Sequence, residues 1–259
     1  MLIRFRVRFW LLAGVLLLCC ARASAAGVRD FSPDRPSRSD TPFTVPASYF
    51  QAEADFANYT NTGDQFQALD PTLKYGLNDR VDGEIQFGGF VSQRSAGARA
   101  ESFGDIVIRL KLSVLGDDGG DLSIAVIPYA KAPTAGAPIG NGEFEGGVNM
   151  PFLVTLPLDI GLTIEPEMAI LKNALNTRRQ ASFTGIINLG RKITGDLSSF
   201  VEMYDQIYSD RQSPGPTVTF DTGLSYAVTT TLQLDLGANF GLNGATPGVN
   251  IYSGIAARF

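Results

Sequence analysis

The 259-residue sequence contains no histidine, which removes every Ser-His or Cys-His nucleophile pair and every imidazole metal ligand. Cysteine is nearly as scarce. Both copies, Cys19 and Cys20, lie within the first twenty residues, so the chain beyond them relies on no disulfide and no thiolate. Past residue 18 there is also no apolar run approaching the roughly 20 residues that a membrane-spanning helix needs. A chain of this kind can enter a bilayer only as a closed barrel, because helices and barrels alone satisfy their backbone polar groups there.

The start of the chain is different. Arg4, Arg6 and Arg8 form a basic beginning, residues 10–18 form an apolar run, and Ala21, Ala23, Ser24, Ala25 and Ala26 supply small residues. This predicts a secretory signal peptide over residues 1–26, cleaved after Ala23 or Ala26. A lipoprotein would need a small residue before its acylated cysteine, where this chain has Leu18 or Cys19. Cleavage removes both cysteines and four of the 21 basic residues, leaving 17 against 26 acidic ones, a net charge of −9. An acidic mature chain has no basic footprint for nucleic acid. The roughly 233 residues that remain suffice for one large β domain.

The hydrophobic period is two almost throughout. Val81, Gly83, Ile85, Phe87, Gly89 and Val91 share one face, and Asp82, Glu84 and Gln86 share the other. A helix would scatter those acids around its circumference, whereas a strand separates them. The pattern recurs. Phe50, Ala52, Ala54 and Phe56 oppose Gln51, Glu53 and Asp55. Ile106, Ile108, Leu110, Leu112 and Val114 oppose Asp105, Arg109 and Lys111. Ile160, Leu162, Ile164 and Met168 oppose Thr163, Glu165 and Glu167. Leu232, Leu234, Leu236, Ala238 and Phe240 oppose Gln233, Asp235 and Asn239. Val249, Ile251, Ile255, Ala257 and Phe259 oppose Asn250 and Arg258. Further runs near residues 122–126 and 148–156, with weaker ones at 66–77, 182–189, 197–208 and 217–226, bring the number to twelve. Most span about 9–13 residues, close to the 9–11 of a tilted membrane-crossing strand.

The connections alternate too. Short turns are expected at residues 76–79, 116–120, 157–159, 190–196 and 227–230. Longer polar or Gly/Pro-rich loops are expected at 92–102, 133–143, 173–181 and 209–216, with shorter ones at 61–65 and 243–247. That asymmetry marks outer-membrane barrels. Pro71, Pro128, Pro151 and Pro166 fall inside the expected strands, where each removes a ladder hydrogen bond. They call for bulges, rim positions or shorter strands. The expected fold is an all-β, transmembrane, antiparallel up-and-down barrel of about 12 strands over residues 48–259, located in the bacterial outer membrane.

The chain ends Ile255-Ala256-Ala257-Arg258-Phe259, an alternating strand with a terminal aromatic that resembles the signal read by bacterial barrel-assembly machinery. Other segments carry a family resemblance. Asp34-Arg35-Pro36, Thr44-Val45-Pro46 and Tyr49-Phe50-Gln51-Ala52-Glu53 come first. Leu73-Lys74-Tyr75-Gly76-Leu77-Asn78-Asp79-Arg80-Val81, Phe103-Gly104-Asp105, Pro128-Tyr129-Ala130-Lys131-Ala132-Pro133-Thr134 and Leu232-Gln233-Leu234-Asp235-Leu236-Gly237 follow in order. In these the chain resembles the outer-membrane family labelled "putative meta-pathway of phenol degradation". Its usual Pro-Thr-Gly reads Pro133-Thr134-Ala135 here. The resemblance implies a barrel and a transport function, with aromatic or other apolar compounds as the implied permeants.

With apolar faces toward lipid, Glu53, Asp55, Asp82, Glu84, Asp105, Arg109, Lys111, Glu165, Glu167, Glu202, Asp235 and Arg258 are expected to face the lumen. Opposed charges there select permeants by charge and dipole. Alternatively they pair and fill the barrel, since eight strands are filled by side chains, 16–18 leave a channel, and twelve falls between. Residues 27–47 show no strand period and are either a periplasmic tail or a lumen plug placed by Asp34, Arg35 and Arg38. Tyr49, Tyr59, Tyr75, Tyr129, Tyr208, Tyr226 and Tyr252 suit interfacial girdles, with Tyr204 and Phe200 turned inward. The expected function is passive transport of a small-molecule permeant, with outer-membrane lipid and the assembly machinery as partners, no nucleic acid, no cofactor and no metal. The alternatives are a filled structural barrel, an outer-membrane lipid-modifying enzyme and a soluble ligand-binding barrel. No motif supports the enzyme, and no catalytic residue is assigned.

Overall fold

The computed structural model describes residues 29–95, 97–116 and 121–259; the expected signal peptide and its cleavage site lie outside them. Twelve strands follow one another around a single sheet. They are β1 (Phe50–Thr60), β2 (Gln65–Ala68 and Asp70–Asn78), β3 (Val81–Phe87 and Phe90–Ser95), β4 (Ala98–Phe103 and Ile106–Leu115), β5 (Leu122–Ala132) and β6 (Glu145–Asn149 and Phe152–Leu156). Then come β7 (Ile160–Lys172), β8 (Arg179–Thr194), β9 (Leu197–Tyr208), β10 (Thr217–Thr229), β11 (Leu232–Gly241) and β12 (Val249–Arg258). Each pairs antiparallel with its neighbours. β12 closes the barrel on β1, paired from Gln51 opposite Arg258 to Thr60 opposite Asn250 with a one-residue register shift at Phe56. Phe259 adds the last rung, its N–H donating to the Phe50 carbonyl at 2.8 Å.

The alternation is inside-out relative to a water-soluble protein. On β7, Ile164, Met168 and Ile170 are 47, 61 and 50% exposed, while Thr163, Glu165 and Ala169 are buried. A charged interior inside an apolar outer wall is stable only when hydrocarbon surrounds it, so the protein is an outer-membrane barrel. Among the described residues no helix is long and apolar enough to cross a membrane.

Several local expectations change. Residues 81–91 are not one unbroken row, because β3 is interrupted at Gly88-Gly89 beside the interruption of β4 at Gly104-Asp105. The two backbones touch there. A Cβ on Gly88 would collide with the Gly104 main chain, which only glycine avoids. Beyond the interruption Val91 and Ser92 are both buried, so the simple alternation fails. Residues 92–95 and 98–102 form the ends of a long hairpin rather than a loop, and β8 continues to Thr194 through the expected turn at 190–196. The prolines divide into two kinds. Pro151 lies in the gap between the halves of β6, and Pro71 follows Leu69, whose φ is +53°. Pro128 and Pro166 stay within their strands. Met150 N–H donates to the Pro166 carbonyl at 3.0 Å, so the N–H that Pro166 lacks falls opposite the β6 gap, where no ladder bond is lost.

Of the tyrosines, Tyr59, Tyr75 and Tyr226 lie exposed on the outer wall. Tyr129, Tyr208 and Tyr252 turn inward instead. The Tyr129 hydroxyl donates to Glu167, Tyr208 to Gln206 at 2.8 Å and Tyr252 to the Pro36 carbonyl at 2.8 Å. Each lies in the inward row of its strand, and the strand period decides where a ring points. Tyr49 is half-buried, its ring 5.8 Å from the Arg258 guanidinium.

Candidate functional site

Strand alternation turns one row of each strand toward the barrel axis. That row carries Glu53 and Asp55 from β1, Lys74 from β2, Asp82 and Glu84 from β3, and Lys111 from β4. Glu165 from β7, Glu202 from β9, Asp221 from β10, Asp235 from β11 and Arg258 from β12 complete it, and all of these are buried. Buried charges need partners, because an unpaired one costs several kcal/mol or neutralises. The partners come largely from residues 29–47.

This segment has no ladder of its own, so its backbone N–H groups are available. Asp34 N–H and Arg35 N–H donate to Glu53 at 3.3 and 3.0 Å. Arg38 N–H and Ser39 N–H donate to Glu202 at 3.1 and 3.2 Å, and Ser39 Oγ adds a third bond at 2.8 Å. Asp40 N–H reaches Glu165 at 2.7 Å and Val45 N–H reaches Asp82 at 2.7 Å. Four carboxylates on four strands thus hold the loop by its main chain. Charge-assisted bonds of this type are roughly twice as strong as neutral ones.

Side chains complete the set. Asp34 pairs with Lys74 and, at 2.8 Å, with Lys111. Burial pushes the Asp34 carboxyl up, but the Lys111, Lys74 and Arg109 cations outweigh it and hold the group well below the usual carboxylate range. Arg35 lies between Asp55 and Asp235, donating to Asp235 at 2.6 and 3.1 Å. Its guanidinium also fits over Gly254, where any Cβ would collide with it. Arg38 Nε is 3.1 Å from Asp221, and its guanidinium lies over the Tyr204 ring at 4.5 Å. Arg109 bridges Asp40 and Glu84, the latter at 3.2 Å.

The two legs of the segment meet at one end of the barrel. Arg29 donates to Thr44 Oγ1 at 3.0 Å, and Thr44 in turn donates to the Asp79 carbonyl at 2.9 Å. Arg258 donates to the Arg29 carbonyl at 2.8 Å. Asp79 belongs to a short turn, so residues 29–47 form a loop that enters and leaves by the short-turn mouth. A cavity of about 580 Å³ lined by Arg29, Phe31, Phe43, Lys111 and Arg258 lies at this mouth. A polar cavity of about 160 Å³ lies deeper, against Arg35, Arg38, Asp55, Asp70 and Gln86. A wider apolar hollow on Phe50, Leu73, Ile85, Ile108 and Leu110 belongs to the outer wall.

Not every expected lumen residue joins this cluster. Asp105 sits in the interruption of β4, pairing with Lys131 at 2.6 Å and accepting Ala135 N–H at 2.8 Å, which ties down the loop at 133–144. Glu167 accepts the Tyr129 hydroxyl. Phe259 lies on the outer wall, 73% exposed. Sequence reasoning missed Lys74, Asp221 and Gly254, and it put Gln233 on the polar face without giving it a role. Gln233 donates to the Arg35 carbonyl at 3.0 Å. The available signal was parity: Asp221 alternates with Phe220 on β10, and a glycine in an inward row marks a close approach. Among the described residues no three Asp or Glu side chains converge so as to hold a metal ion.

Solved barrels resemble this one in fold. The NanC porin matches with a TM-score of 0.55 at 10% identity, over 80% of this chain and 98% of that one. The β domain of the Bordetella autotransporter BrkA matches at 0.48 and 11% identity, over 82 and 98%. The anion-selective porin from Comamonas acidovorans matches at 0.43 and 10%, over 82 and 99%. No curated protein matches the sequence. The profile of one family, described as "Putative MetA-pathway of phenol degradation", matches residues 33–259, from the Asp34-Arg35-Pro36 of the inner loop to the seam-closing Phe259. The chain belongs to that family.

Proposed function

We propose that this protein is an outer-membrane channel for the passive movement of small solutes, held closed by its residues 29–47. One observation carries the reading: the loop that occupies the interior enters and leaves by the same mouth. Arg29 and Thr44 are hydrogen-bonded to each other there, so the loop can withdraw without threading and without unpairing a strand. A segment meant only to fill the barrel has no need of that geometry.

Within this reading the outer wall takes membrane lipid, and Phe259 on the last strand is the mark for assembly machinery. Aromatic and apolar permeants find the ring faces of Phe200, Tyr204 and Tyr252 in an otherwise charged lumen. No reaction is assigned to the barrel.

Deleting residues 29–44 and recording single-channel conductance in planar bilayers tests the proposal. A large rise in conductance is expected, together with faster swelling of liposomes in small solutes. Conductance equal to that of the full chain, in a barrel that still shows the heat-modifiable gel shift of a folded one, would favour the filled structural barrel.

A further inference from the structure

The arginines of the inner loop sit in sites that the wall has built for cations. Arg35 occupies a slot between Asp55 and Asp235, with the Tyr252 ring centroid 5.9 Å from its guanidinium carbon and Gly254 clearing the space. Arg38 occupies a second, with Asp221 at 3.1 Å and the face of Tyr204 at 4.5 Å. Each site thus combines carboxylate with an aromatic face, the combination that attracts organic cations.

A second observation is a buried acceptor that the arginines do not fill. Asp221 is completely buried, and its Oδ2 is held by the Arg38 Nε at 3.1 Å in the closed state. Asn239 lies directly across from it on β11, and its buried Oδ1 meets no hydrogen-bond donor among the described residues. Two buried side chains, Asp221 and Asn239, therefore present acceptors to the same stretch of lumen, and only the first is filled by the loop. Such groups are satisfied by a ligand rich in N–H donors.

The charge balance extends the point. Among the described residues, the buried inward acids Glu53, Asp55, Asp82, Glu84, Glu165, Glu202, Asp221 and Asp235 face the bases Lys74, Arg109, Lys111 and Arg258. The loop brings three arginines and three aspartates, so its own side chains leave that excess of carboxylate unchanged. When the loop leaves, its backbone donors and Arg35 and Arg38 leave with it.

We propose that the opened lumen binds and prefers small organic cations, ammonium or guanidinium groups carried on a compact and even aromatic body, with Asp235, Asp55 and Tyr252 forming one subsite and Asp221, Asn239 and Tyr204 the other. Arg35 and Arg38 are intramolecular occupants of those subsites in the closed state. The inference rests on the channel reading for its transport meaning but not for the binding itself.

Three probes of one shape separate the possibilities: benzylammonium, benzyl alcohol and benzoate. Their binding is measured by equilibrium dialysis against the full chain carrying Arg35→Ala and Arg38→Ala, in detergent, and against the barrel lacking residues 29–44. Folding of each is checked by its heat-modifiable gel shift, and whichever variant folds serves. Benzylammonium should bind at least tenfold more tightly than benzyl alcohol, with benzoate weakest. Adding Asp221→Asn and Asp235→Asn should erase that order. In planar bilayers the shortened barrel should show a cation-selective reversal potential in a tenfold KCl gradient and a current blocked by benzylammonium alone. Equal binding of the three probes, or preference for benzoate, overturns the cation sites even where current flows. Benzylammonium binding without any conductance upholds the sites and overturns the channel.

Discussion

Replacing Glu202 with alanine is expected to unlatch the inner loop at the cost of a single side-chain hydrogen bond within the barrel wall. Glu202 is 1% exposed at the middle of β9, and three of its hydrogen bonds reach Arg38 and Ser39 of the loop at 2.8–3.2 Å. A fourth, from Asn188 at 2.9 Å, stays within the wall. A hydrogen bond to a charged acceptor contributes about 1.5–3 kcal/mol. The two Ser39 donors share one oxygen, and a released loop regains water, so the three bonds count as one to two. That gives about 3 kcal/mol lost from closure, or a roughly 100-fold rise in the ratio of open to closed channels. Glu202→Gln keeps an acceptor but not the charge, and about tenfold is expected. The open probability in planar bilayers measures both. If Glu202→Ala opened no more than about threefold more often than the unsubstituted protein, the main-chain latch would not be what holds the loop.

Asp34→Asn weakens closure by leaving Lys74 and Lys111 without their shared loop partner. Because Asp34 titrates below its unfolded value of about 4, its contribution is complete at higher pH and is lost only as the pH falls through that lowered native value. The ratio of closed-state dwell times between the unsubstituted protein and D34N should therefore stay flat from pH 8 to 5 and approach one below pH 4; a decline between pH 8 and 6 counts against the assignment. Gly254→Val places side-chain atoms where the Arg35 guanidinium lies, so trypsin should cut after Arg38 in the variant and spare it in the parent, while the Arg35–Pro36 bond resists trypsin in both. On the lipid face, Leu236, 53% exposed beside buried Asp235, is expected to lose about 2–4 kcal/mol of folding stability on change to arginine, read by denaturant titration in liposomes; an unchanged midpoint would place that face away from hydrocarbon.

The twelve strands and their faces were legible because period two is a local property, and a charge inside an apolar row leaves little choice of side. Tyr252 was as legible as the rest: it shares parity with Asn250 and Arg258, and the inward row claims it whatever the habits of interfacial tyrosines. The interruptions at Gly88-Gly89 and Gly104-Asp105 were not legible. Each glycine tolerates the approach of the other's backbone, and nothing near Gly88 in sequence names Gly104 as the neighbour. The same limit applies to the inner loop. Alternation gives the direction in which Glu53, Glu165 and Glu202 point but not what they meet.

One deduction about the interior was nonetheless open from composition. Nine of the twelve residues assigned to the lumen by alternation are acids and three are bases, so the wall cannot neutralise itself by pairing. Buried carboxylates without cations must find N–H donors, and backbone amides inside a sheet are already spent on their neighbours. The stretch with no strand period, residues 29–47, is where unspent amides exist. The surplus of acid on the wall and the lack of a ladder in the loop are therefore two sides of one requirement. That requirement explains why a loop with as many acids as bases can lie in an acidic lumen: its main chain, as much as its side chains, supplies the positive ends.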